Sequence, residues 1–164
     1  MNWIVILLTA LVPLVTGFIW YNPKVFGNAW MQAADMSPDK MKGANMAMIF
    51  GLTFILSFFL AMSMQFLTIH QLALNSIVQN QPNFMDQTSE AGSMVKAFMD
   101  KYGTNFRTFK HGAFHGALSS IFIVLPVLAI NAMFERKSGK YIMINFFYWM
   151  LNFIIMGGII CQYA

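Results

Sequence analysis

A chain of 164 residues has the length of a single domain, yet only 10% of it is Asp, Glu, Lys or Arg, against about 25% in ordinary soluble proteins. Its 17 Phe and 15 Met outnumber all the charged side chains together, more apolar surface than one small core can hide, which excludes most soluble folds and predicts contact with lipid. The net charge of +4 comes from loop lysines and arginines suited to anionic headgroups, so it gives no reason to invoke nucleic acid.

Charges mark where the chain leaves the bilayer, because placing one at the centre costs about 2.5 to 3.5 kcal/mol. Residues 1–23, 43–85, 111–134 and 141–164 carry none. A spanning helix needs about 20 mostly apolar residues. Four spans are therefore predicted, at about 3–21, 44–70, 111–134 and 141–163. The first lacks a basic leader and a small-residue cleavage site, so it reads as a retained span, kinked at Pro13 and anchored at the interface by Trp20 and Tyr21. Ser37, Pro38 and Asp39 form a helix-start signal, so the second helix is expected to begin there, outside the membrane. Residues 71–87 are too rich in amides for lipid and read as a polar loop.

Residues 89–102 predict a short amphipathic helix lying on the headgroups, with Met94, Phe98 and Tyr102 along one side and Gly103 as its terminator. Thr104 and Asn105 offer caps for the third helix, which would place Arg107 and Lys110 on its first turns. Pro126 is expected to kink that span. The predicted fold class is all-α: a polytopic membrane protein with one four-helix transmembrane domain over residues 1–164 and an extramembrane loop at 71–110. Cys161 is the single cysteine, which permits no intrachain disulfide.

Lys24, Lys40 and Lys42 in the first loop and Arg136, Lys137 and Lys140 in the third give these short loops a higher density of positive charge than the middle loop, with Lys96, Lys101, Arg107 and Lys110. The positive-inside bias then puts loops one and three in the cytoplasm and both termini outside, in a bacterial inner membrane.

Three constellations invite chemistry. His111 and His115 stand four apart on one helical face, and His70 should close the second helix at the same level, a candidate site for zinc, copper or haem. Simple hydrogen bonding of these histidines to headgroups, water or a neighbouring helix is the competing reading. Gly112 and Gly116, with Gly157 and Gly158 on the fourth helix and Gly43, Ala47 and Gly51 at the second, make small-residue faces for close helix approach, within the bundle or between copies. Asn145 and Asn152, with Asn131, Gln65, Thr9 and Thr16 on other spans, draw a partly polar stripe for interhelical hydrogen bonds or a narrow path. No span holds an ionised residue for ion coupling, and no H-E-x-x-H arrangement supports zinc-protease chemistry.

Several runs are also familiar: residues 17–27 (GFIWYNPKVFG) with Trp30, the double-histidine run 111–116, residues 129–136 (AINAMFER), and Tyr148-Trp149 through Gly157-Gly158. Together they resemble a family of small bacterial integral-membrane proteins, domain of unknown function 1761, over most of the chain except the middle loop. The resemblance implies a compact four-helix membrane domain and carries no catalytic residue across. The leading expectation is a non-enzymatic scaffold, accessory subunit or small homo-oligomer among membrane lipids and membrane-protein partners. The alternatives are a metal- or haem-binding protein using His70, His111 and His115, or a passage or binding site for a lipid or small neutral molecule.

Overall fold

The computed structural model describes residues 2–164. Pro13 interrupts the first span rather than only kinking it: α1 (Trp3–Thr9) stops and α2 (Val12–Trp20) restarts with the proline in its first turn. A missing N–H and a fixed φ are tolerated there. In the first loop α3 (Gly27–Ala34) ends on Asp35 in the left-handed region, and Ser37 caps α4 (Pro38–Met41). The expected run from Ser37 into the second span does not occur. Gly43, at φ +81°, turns the chain, and the Asn45 side chain, accepting from Met48 N at 3.0 Å, starts α5 (Met46–Thr68) afresh.

The polar stretch read as loop contains a short helix, α6 (Leu72–Val78). It is followed by α7 (Glu90–Tyr102), capped by Ser89 Oγ, which accepts from Gly92 N at 3.0 Å. Gly103 ends α7 in right-handed geometry, without the left-handed turn a terminal glycine usually supplies. Met94, Phe98 and Tyr102 stay exposed along α7. The third span begins at Thr108, not at Thr104 or Asn105: Thr108 Oγ1 accepts from His111 N at 3.3 Å and opens α8 (Phe109–Ser119). A π turn at Ser120–Val124 joins α8 to α9 (Leu125–Phe134) directly before Pro126, whose missing N–H and ring disturb the helical ladder at that point. Ser138 caps α10 (Gly139–Tyr163).

Four segments, Trp3–Trp20, Met46–Thr68, Phe109–Phe134 and Gly139–Tyr163, are long and apolar enough to cross a membrane. The last is the central one: 61% of its most apolar window is buried, against 11% for the second and third. Around α10 the buried core is mixed: Ile6, Met64, Phe153, Met156 and Ile160 pack together, and Ser57, Gln65, Thr68, Ser120, Asn145 and Asn152 are buried with them, while Phe18, Phe59, Phe122 and Phe134 face outward. An outer surface this apolar suits hydrocarbon, where polar side chains must find partners within the protein.

Much of the polar stripe is engaged in hydrogen bonds between helices. Thr16 Oγ1 donates to Asn152 Oδ1 at 2.6 Å, Asn152 Nδ2 donates to Tyr148 O at 2.8 Å, and Tyr148 OH donates to Pro13 O at 2.7 Å. Tyr21 OH donates to Asn145 Oδ1 at 2.8 Å. Asn131 lies on the exposed side of α9, outside this network. Thr16→Val is expected to lower stability by about 0.6 to 1.7 kcal/mol, the range of interhelical hydrogen bonds in membranes. Asn131→Leu is expected to leave it unchanged. Unfolding midpoints in an SDS titration separate the two, and equal shifts would show that the network does not stabilise the bundle.

The two ends of the bundle are tied differently. Loops one and three meet where Lys137 Nζ donates to Ala34 O at 2.9 Å. At the opposite end the middle loop is fastened to the end of α10, and the histidines are found there.

Candidate metal centre

The site depends on how closely α8 approaches α10. A Cβ on Gly112 would strike Gly157 O and Cys161 Cβ, one on Gly116 would strike Phe153 O, and one on Gly158 would enter the Phe109 ring. A Cβ on Gly157 would in turn strike Gly112 O and touch the Thr68 side chain. The four glycines singled out by sequence are thus all used within the chain, where α8, α10 and the end of α5 converge.

Three further ties fix this end. Cys161 Sγ, buried on α10, lies 3.3 Å from Thr68 O and 3.4 Å from Phe106 O, with its one S–H shared between the two carbonyls. Arg107 is not on the third helix as expected. It turns back, donating from Nε to Cys161 O at 2.6 Å and from Nη2 to Ala164 O, and so satisfies carbonyls at the end of α10. Gln71 Nε2 donates to Asn105 O at 2.7 Å and to Tyr102 O at 3.2 Å, holding the start of α6 against the chain that leaves α7.

Past Thr68 the backbone extends at Ile69 (φ −111°, ψ 93°), which carries His70 off the end of α5 and across to α8. His111 and His115 lie one turn apart on α8. His70 Nε2 is 3.0 Å from His111 Nε2 and 3.2 Å from His115 Nε2, and one ligating nitrogen from each residue lies within 4.8 Å of the others. Two ligands around a tetrahedral ion with bonds of about 2.0 to 2.1 Å stand about 3.3 to 3.4 Å apart. The His70 nitrogen has either one hydrogen or one lone pair to offer, so it cannot form a full-strength hydrogen bond with both neighbours at once. Three lone pairs aimed at a shared cation satisfy all three rings. His70 is exposed and the other two are half-buried, so an ion has access.

Two aromatic residues that sequence reading did not attach to the site flank it. The Phe106 ring lies 5.2 Å from the His111 ring at 32°, and Phe114 meets His115 edge-on at 5.7 Å. Phe106 has φ +60°, costly for a bulky side chain by about 1 to 3 kcal/mol, and strain of this kind gathers at functional sites. Beside His70 opens a cavity of about 540 Å³, lined among others by Ala73, Ile77, Phe98, Tyr102 and Phe106.

Neither a curated protein nor a solved structure matches the chain. Residues 4–161 match the model of a family described as "Protein of unknown function (DUF1761)", and the match runs through the middle loop that the sequence resemblance left out. With nearly its whole length matched, and with four helices able to cross a membrane, the chain belongs to the DUF1761 family.

Proposed function

We propose that this protein is a multi-pass membrane protein that binds a transition-metal ion through His70, His111 and His115. The observation that carries the reading is the meeting of the three imidazoles, with His70 Nε2 within 3.2 Å of both partners. Imidazole suits zinc and copper, and three protein ligands leave a fourth position open for water or another molecule. A bare ion would use all three imidazoles, whereas haem would need only one or two of them. The scaffold reading has less support, because Gly112, Gly116, Gly157 and Gly158 are already occupied inside the chain.

Metal analysis of the protein purified in detergent tests the proposal. About one equivalent of zinc or copper per chain, retained through gel filtration, is the expected result. A protein that stays folded and takes up neither zinc, copper nor cobalt would end this reading.

The charge distribution supports an orientation with loops one and three in the cytoplasm of a bacterial inner membrane, and with both termini and the metal centre on the outer face. An alkaline phosphatase fused after Ala164 is expected to be active and a green fluorescent protein at the same position dark. The reverse pattern would invert the topology.

A further inference from the structure

His70 belongs to two features at once: its Nε2 closes the histidine cluster, and its side chain forms one wall of the cavity between α6, α7 and the loop at 103–108. A volume of about 540 Å³ falls within the usual range for small-ligand sites, about 300 to 1,000 Å³. Most of its wall is apolar, formed by Ala73, Leu74, Ile77, Phe98 and Phe106. Gln71 Nε2 is already committed to the carbonyls of Asn105 and Tyr102. At the histidine end, His70 is the one metal-ligating side chain of the lining, which Gln71, Tyr102 and Asn105 complete.

Charge decides what kind of head belongs at that end. Three neutral imidazoles leave the full positive charge of a bound ion uncompensated, and the group contains no carboxylate or thiolate among the described residues. An anionic oxygen ligand from outside the protein supplies the missing charge. His70 follows the last turn of the second span and His111 lies in the first turn of the third, so the histidine end of the cavity sits at the membrane boundary, and a tail in the cavity is covered by the middle loop.

We propose that the cavity beside His70 receives the alkyl chain of a carboxylate amphiphile, a fatty acid in its simplest form, whose carboxylate fills the open position on the ion held by His70, His111 and His115. This rests on the metal-binding reading above.

Cobalt(II), whose visible absorption reports its ligands, provides the test, with the full chain in phosphatidylcholine nanodiscs. Dodecanoate is expected to change the cobalt spectrum saturably, acetate to need a concentration at least about 100-fold higher because it has no chain to bury, and dodecanol to leave the spectrum unchanged. Ala73→Trp, at an exposed position on the cavity wall, is expected to keep cobalt while weakening dodecanoate by about ten-fold or more. Partitioning into the nanodisc is the same for this variant, so it cannot produce the difference. A cobalt spectrum indifferent to dodecanoate, equal responses to dodecanoate and dodecanol, or an unweakened Ala73→Trp would each overturn the inference and leave the metal site standing. Absence of any cobalt signal would remove the metal site itself, and the inference with it.

Discussion

His115→Ala is expected to give a folded protein that no longer retains stoichiometric metal. The imidazole is half-buried on the second turn of α8, where alanine is the best helix former and removal of the ring opens no core cavity. Loss should therefore fall on the ion and not on the bundle. Replacing a residue that only supports a ligand already costs about 10- to 100-fold in metal affinity, so removing one of three ligands should cost at least about 100-fold. Competition against a chelator, followed by metal analysis, reads this directly. His111→Ala and His70→Ala should behave alike, since His70 Nε2 lies 3.0 and 3.2 Å from its two partners. If any single variant kept wild-type affinity, the three rings would not share one ion, and their closeness would have to be explained as packing at the membrane boundary.

Gly112→Leu should cause the largest loss of stability. A Cβ at Gly112 meets Gly157 O and Cys161 Cβ, and the first of these is backbone that no rotamer change can move aside. Overpacking a core ordinarily costs about 1 to 3 kcal/mol, and a side chain driven against a helix backbone belongs at or above the upper end. Because His111 and His115 both ride on α8, pushing that helix off α10 should also abolish metal retention. Gly51→Ala makes the comparison sharp: no atom lies within 4 Å of a Cβ at Gly51 on α5, so alanine there should stabilise by up to about 1 kcal/mol through helix propensity. SDS titration of the two variants should move the midpoint in opposite directions. A Gly112→Leu protein as stable as wild type would mean that α8 and α10 do not cross at these glycines.

The contrast between Gly112 and Gly51 also shows where sequence reading stops. Both are glycines in apolar helices, and spacing alone assigned both to packing faces; Gly112 meets α10, whereas nothing approaches Gly51. Which atoms each face meets depends on the placement of α10 at the centre. The same holds for Asn152 and Asn131, both asparagines within predicted spans. One is fully buried and bonded to Thr16, while the other is exposed. Helix starts were legible where the capping residue acts alone, as at Ser89. They were misplaced where a tertiary contact chooses among candidates, as at Thr108, which is selected over Thr104 once Arg107 is drawn to the end of α10.

By itself the sequence determined the four spans, because the cost of an ion in hydrocarbon is a property of each residue and needs no partner. It also determined that His111 and His115 share a face, because helical periodicity is local. That His70 completes a trio, that the Phe106 ring packs beside it, and that an apolar cavity opens there were decided only by the tertiary structure. His70 lies 41 residues from His111 in the chain, and the two meet only because α5 and α8 pack against the same end of α10.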